Sequence, residues 1–388
     1  MKAFIPCYYN NLSIWLDVIR TLAAQAVVFG HMRQILFINP NTDSNNSLIQ
    51  TFISTLSSAP HEAVVIFFVI SGYLVGGRVI SDFLAKHFCF SIFISNRLTR
   101  LLIVLIPALL LTAAFDYFSF NYGNGANILI SRQPFYPQWW AEVNTFSVQS
   151  FLINASFLQM IVGFQFGTNL SLWSLSNEFW YYLFLPFLMA TLFYQGNRRL
   201  LFLIFTSLIM LLFIFSAKEH DPDRPIYYFY NLLIWLLGAF AFFINNRSRL
   251  ILSCFLLSFI AILIYFTLNI PVIPSHLESL IKQDFLIGIG TVITIRLLGF
   301  VPVALLKKSF SFLASYSFSL YVLHLPFVFL GMSFNQKLGE GLSYDIIGLC
   351  YFLLLWLITN IGAWLFSLFT ERKTKQLRQA LNNNSQMH

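Results

Sequence analysis

Charge is what this sequence has least of. Asp, Glu, Lys and Arg make up 10% of its 388 residues, whereas a soluble domain carries about 25%. With 58% hydrophobic residues and a mean hydropathy of +0.73, the chain holds more apolar surface than its own core could hide, so lipid must act as its solvent. Cysteine is scarce too. Cys7, Cys89, Cys254 and Cys350 are far apart and form no C-x-x-C pair, which argues against a disulfide framework or a metal centre. Repeats and low-complexity runs are missing, so the chain reads as one domain, 1–388, with a core of about 11–371 and a short basic tail, 372–388. A signal peptide is missing as well: the first apolar stretch carries Asp17 and Arg20 and lacks a short apolar region before a small-residue cleavage site.

Long apolar stretches are abundant, together with 45 Phe and 8 Trp that suit lipid-facing surfaces and interfacial belts. A bilayer core takes roughly 20 apolar residues per helix. That rule predicts an all-α, polytopic transmembrane helical bundle of about ten spans: 13–37, 61–80, 99–118, 173–194, 199–217, 226–245, 249–268, 283–303, 311–333 and 345–369. The stretch 148–163 is apolar but short, and is expected at the interface or folded back into the bundle. Positive charge alternates between loops. Lys86 and Arg97, Arg198 and Arg199, Arg247 and Arg249, Lys307 and Lys308, and the tail Arg372, Lys373, Lys375 and Arg378 fall on one side. Asp43, Glu142, Glu219, Asp221, Asp223, Glu278 and Glu340 fall on the other. The positive-inside rule then places both termini in the cytoplasm, and the expected location is a bacterial inner membrane. It also accounts for the net charge of +8 without a nucleic-acid partner.

Ionisable groups inside spans are costly, so each is a functional candidate. Arg20 and His31 are eleven residues apart in span one, about 20° from an integral number of turns and about 16 Å along the axis. They share a face, and Asp17 joins the stripe. The alternative is a structural Asp17–Arg20 pair with His31 as a satisfied interior histidine. In span two, Ser71, Gly72, Gly76 and Gly77 form a small-residue strip, for which close helix packing is the favoured reading. Arg78 follows at the inner surface. Arg97 and Arg100 share a face one turn apart. They are either positive-inside anchors or a phosphate-binding fork. Glu178 in span four sits at the depth of His31, where a carboxylate could orient a general-base histidine or rest, solvated, at headgroup level. Trp173, Trp180, Tyr181 and Tyr182 read as an aromatic belt. His324, two residues before Pro326, and Arg296 are further buried candidates with structural alternatives.

The residues from Leu16-Asp17-Val18-Ile19-Arg20 to His31, FFVISGYL at 67–74, Arg97 and Arg100, LWSLSNEFWYY at 172–182 and SFSLYVLH at 317–324 resemble, in order and over almost the whole chain, the acyltransferase 3 family. That resemblance implies a ten-helix membrane enzyme moving an acyl group, commonly acetyl from cytoplasmic acetyl-CoA, onto an extracytoplasmic carbohydrate such as an O-antigen, a lipopolysaccharide or another polysaccharide. By position, His31 looks like the catalytic histidine, Arg20 like its paired arginine and Glu178 like the carboxylate of WSL-x-x-E. Arg20, Arg78, Arg97, Arg100, Ser71, Gly72 and His324 are then expected to bind substrate or acyl-CoA, with His324 also the reserve base. The sequence departs from the family pattern at three places. Ile103 stands where a proline is usual, with Pro107 a turn later. Phe318 replaces a tyrosine, and Glu371-Arg372-Lys373 lacks the proline of a terminal E-x-P. No fused esterase domain is expected, and a second catalytic partner would then be a separate protein. The alternative of another class is a glycan or lipid exporter without chemistry, since transporters also bury Arg, His, Asp and Glu.

Overall fold

A computed structural model describes residues 4–37, 48–131, 145–216, 223–243, 275–303, 307–334 and 341–385. Among them the only regular structure is helical. In chain order the helices are α1 (Phe4–Leu36), α2 (Leu48–Leu56), α3 (Pro60–Ser71), α4 (Gly77–Leu84), α5 (Phe90–Tyr122), α6 (Gly125–Ser131), α7 (Val148–Ala155), α8 (Trp173–Phe193), α9 (Gly196–Ile214), α10 (Arg224–Ala241), α11 (Ser275–Leu298), α12 (Lys307–Ala314), α13 (Ser317–Ser333), α14 (Ile346–Phe369) and α15 (Thr374–Ser385).

Five helical stretches are long and apolar enough to cross a membrane: Asn11–Leu36, Leu48–Leu84, Phe90–Tyr122, Gly196–Ile214 and Ile346–Ala380. A sixth arises if α12 and α13, bent by 54° at their junction, act as one span. The expected count of about ten is therefore not confirmed. The expected spans 173–194, 226–245 and 283–303 do correspond to helices, α8, α10 and α11. The expected span 249–268 lies outside the described residues. The segment 148–163 does not cross: α7 has eight residues, about 12 Å of helix, and turns follow it.

The described residues form two compact units. One takes the start of α1 to Leu16, Val64–Phe90, α8 from Asn177, and α9 to α11. Its centre is a backbone-to-backbone approach. A Cβ on Gly72 would fall 1.8 Å from the Trp235 carbonyl oxygen, and one on Gly238 would fall 2.0 Å from that of Val69. Small residues let α10 lie this close, as in other membrane helix pairs, so close packing is what Gly72 and Gly76 provide. Between α3 and α4 the chain widens into one π-helical turn, Gly72–Gly76, closed by the Gly77 N–H on the Gly72 carbonyl. Such turns recur at functional sites. Tyr181 and Tyr182 are buried here, correcting the belt reading for both. Tyr181 donates its hydroxyl to the Tyr228 carbonyl at 2.9 Å. By contrast α9, after Arg198 and Arg199 in its first turn, is mostly apolar and only 17% buried over its most apolar stretch, the pattern of a helix facing lipid.

The other unit holds the rest of α1, with α2, α5 to α7 and α12 to α15. Phe29 on α1 stacks on Phe352 and Trp356 of α14. Beside the stack, Trp356 Nε1 donates to Gln25 Oε1 and Gln25 Nε2 to Asn360 Oδ1, each at 2.7 Å. Away from water these polar links lock helix register, because separating them would strand donors and acceptors.

Candidate active site

The α1 stripe finds its partner in α13. His31 Nδ1 lies 2.8 Å from His324 Nε2. The ring planes differ by 13° with centroids 5.1 Å apart. Near-coplanar rings at that separation, with nitrogen atoms in contact, meet edge to edge and not face to face. His324 Nδ1 lies 2.7 Å from the Tyr321 carbonyl oxygen. A carbonyl only accepts, so His324 Nδ1 carries a proton. When both rings are neutral, His324 Nε2 is then an acceptor, His31 Nδ1 is the donor, and the basic lone pair of His31 is at Nε2. Two hydrogen bonds thus select the His31 tautomer.

Pro326 shapes the local backbone. It has no N–H for the carbonyl of Val322, four residues back, and that missing donor would be costly in a buried helix. Asn169, itself fully buried, supplies it: its Nδ2 donates to the Val322 oxygen at 2.8 Å and to Thr112 Oγ1 at 3.3 Å. Tyr321 OH donates to the Ser171 carbonyl at 3.2 Å. The turn before α8 is therefore tied to the residues of α13 that hold His324.

At the other end of the same stripe, Arg20 donates to Ser317 Oγ at 3.4 Å and lies 3.9 Å from Asp17. The Glu371 carboxylate accepts from Ser319 N at 3.1 Å and Ser319 Oγ at 3.0 Å. It also lies within electrostatic reach of Arg20 and Arg100. Arg97, near the start of α5, lies over the Phe93 ring at 5.7 Å. From α15, Arg378 Nη2 donates to the Asn96 carbonyl at 2.6 Å, and Nε to Thr99 Oγ1 at 3.2 Å. His31 is about 16 Å from Arg20 along α1.

About 24 Å beyond Arg100 along α5 lies a cavity of about 530 Å³, lined by Asp116, Tyr117, Phe120, Asn121, Phe146 and Phe166 among others. Asp116 is buried and accepts from Thr168 N at 3.0 Å and Thr168 Oγ1 at 2.6 Å. Gly167 beside it has φ +58, and a Cβ there would fall 2.1 Å from Asp116 Oδ2. Only glycine meets both demands.

In the first unit, the Glu178 carboxylate accepts from the hydroxyls of Ser71 and Tyr182 through Oε1. Trp235 Nε1 donates to Ser71 Oγ at 3.1 Å. The serine thus accepts one proton while giving its own. Arg78 is exposed in this unit, 3.9 Å from Asp82.

Residues 13–368 match the family model described as an acyltransferase domain. The chain belongs to the acyltransferase 3 family. No curated protein and no solved structure matches it. Membership makes the chain a membrane acyltransferase and places the residues above in context. Of the expected acyltransferase site residues, Arg20, Arg97, Arg100, His31 and His324 lie in the second unit. Ser71, Gly72, Arg78 and Glu178 lie in the first. Ser71 and Glu178 are hydrogen-bonded to each other, and so are His31 and His324.

Sequence reading passed over Tyr182 and Trp235 around Glu178, Asn169 beneath α13, and Arg378 beside Arg97 and Arg100. It also missed Arg224 and Asp284, both buried in the first unit. Tyr182 is one turn after Glu178, a spacing that signals a same-face pair. Asn169 and Arg378 carry no such local signal. The departure at Glu371 does not empty that position: without the proline, the carboxylate still binds Ser319. At Pro107, α5 continues through the proline.

Proposed function

We propose that this acyltransferase takes an acetyl group from cytoplasmic acetyl-CoA and transfers it to a hydroxyl of an extracytoplasmic carbohydrate, with His31 as general base. The observation that carries the reading is the coplanar His31–His324 hydrogen bond, one pantetheine-like length along α1 from a group of arginines, in a chain of this family. Arg20, Arg97 and Arg100 would hold the phosphates of the donor, since guanidinium forks suit phosphate oxygens. The pantetheine arm would then reach along the stripe towards His31. Inner-membrane placement, with both termini cytoplasmic, belongs to the same proposal and rests on the loop charges.

In the transfer step the acceptor oxygen attacks the thioester carbonyl carbon. His31 Nε2 takes the hydroxyl proton, the C–O bond forms, the C–S bond breaks, and the CoA sulfur leaves as thiolate, to be protonated from His31 or water. A sugar hydroxyl is a weak nucleophile at neutral pH, and an imidazole is the side chain best matched to relieving it of a proton there. As His31 becomes cationic, its Nδ1–H strengthens the bond to His324 Nε2, which spreads the charge. Glu178, held by the hydroxyls of Ser71 and Tyr182, is proposed as a further catalytic residue by its place in the family motif.

The test is labelled acetyl-CoA supplied to the purified protein in bilayers, with mass spectrometry of the host's surface glycans with and without the gene. The expected result is consumption of acetyl-CoA and a glycan mass gain of one acetyl unit. Intact acetyl-CoA and unchanged glycans would favour an exporter instead.

A further inference from the structure

We infer that Arg378, near the end of the last helical stretch, Ile346–Ala380, is a third arm of the donor's phosphate site, and that anion binding there is coupled to packing of α15 on α5. The inference rests on the proposed use of acyl-CoA. It begins from placement. A 3-10 turn at Glu371–Lys373 joins α14 to α15, which starts at Thr374. One turn in, the Arg378 guanidinium reaches α5 and bonds to Asn96 and Thr99. Those residues immediately precede Arg97 and Arg100 in sequence. Three guanidinium groups are therefore gathered on the first turns of one helix, close enough that the charge of Arg378 acts on both Arg97 and Arg100.

Balance of charge is the second observation. Arg20 and Arg100 both act on Glu371, and Arg20 also faces Asp17. Among the described residues of this group, four arginines thus stand against two carboxylates. Like charges brought together repel, and the repulsion grows where water is partly excluded. A phosphate group relieves it, and such a concentration of one sign attracts anions from solution. The hydrogen bonds to Asn96 and Thr99 hold Arg378 here, and an anionic ligand would offset the repulsion that its placement creates.

Geometry is the third. An arginine has five N–H donors in a planar fork, and the bonds to Asn96 and Thr99 use two of the three nitrogens of Arg378. Fixed by those bonds, the fork is already oriented, so less side-chain freedom is lost when a phosphate arrives. Neighbouring Arg372 is committed elsewhere, to Ser315 Oγ at 2.8 Å and the Phe312 ring. Arg378 is therefore singled out among the tail's cations by its contacts. Because Arg378 stands on α15 and its partners on α5, a bound phosphate would tie the two helices together.

The experiment measures binding, not transfer. Full-length protein in nanodiscs of zwitterionic lipid is titrated with acetyl-CoA and with acetyl-pantetheine, which keeps the thioester arm and lacks every phosphate. Wild type is compared with Arg378→Ala and Arg378→Lys. We expect Arg378→Ala to raise the Kd for acetyl-CoA by about tenfold to hundredfold, the scale of one charge-assisted contact, and lysine to restore part of it. Affinity for acetyl-pantetheine should not change, and acetyl-CoA should protect α15 from hydrogen exchange in wild type only. Equal losses for both ligands would make Arg378 a structural residue and overturn the inference. Unchanged acetyl-CoA affinity, with loss only of retained phosphatidylglycerol in anionic nanodiscs, would assign the site to lipid headgroups and overturn it as well. Failure of wild type to bind acetyl-CoA at all would instead sink the functional reading on which the inference rests.

Discussion

His324 earns its place by what it does to His31. Its Nδ1–H is committed to a backbone carbonyl 2.7 Å away, so its Nε2 must accept, and His31 is held with its lone pair at Nε2. His324→Ala removes that acceptor and frees the ring to rotate. The expected loss of transfer is about 10-fold to 100-fold, as for other groups that orient a histidine. That is smaller than the loss expected for the base itself. Because the two act as one unit, His31→Ala combined with His324→Ala should be little worse than His31→Ala alone. Losses that multiply in the double variant would show that the histidines work separately. A pH–rate profile adds a second readout, since its acidic limb should move in His324→Ala if the pair sets the basicity of His31. Both histidines were legible as ionisable residues within apolar stretches. Their pairing was not, because 293 residues separate them, and spacing within a helix reports only on neighbours one or two turns away. Glu178 was legible in the same way, while the hydroxyls that serve it come from α3 and from its own helix.

At the scale of the element, α13 depends on a side chain from outside it. Pro326 leaves the Val322 carbonyl short of a helical donor, and Asn169 fills the place at 2.8 Å. Asn169→Ala should destabilise the protein by about 1–3 kcal/mol, the cost of a buried acceptor left unpaired. Pro326→Ala gives the backbone its own N–H, so in that background Asn169→Ala should cost measurably less. Thermal inactivation of the four variants in detergent measures this. An equal cost in both backgrounds would mean that the amide serves only Thr112 and Ser171. Helices themselves were largely legible from apolar runs: α1, α5, α9 and α14 lie where those runs are longest. The count of about ten is not confirmed among the described residues, because the expectation took a run of about 20 apolar residues as sufficient. α8, α10 and α11 are helices of that size, yet they fall outside the set that is long and apolar enough to cross. α10 begins with the buried Arg224, and α11 carries the buried Asp284. The buried tyrosines of α8 were mistaken for a belt because composition cannot distinguish an aromatic ring facing a headgroup from one facing a glycine-lined helix.

For the whole molecule, the account joins two places on one unit: arginines at one level of α1 and a histidine pair about 16 Å farther along it. If the first faces the donor's compartment and the second serves the acceptor, transfer must cross the bilayer without release of free acetate. Proteoliposomes test this directly. Labelled acetyl-CoA, which does not cross lipid, is supplied outside, and the glycan acceptor is trapped inside. Wild-type protein should acetylate the trapped acceptor. His31→Ala at equal membrane abundance should transfer about a hundredfold to ten-thousandfold more slowly, the usual cost of losing a general base. Transfer only when donor and acceptor share a compartment, or wild-type transfer by His31→Ala, would contradict the account.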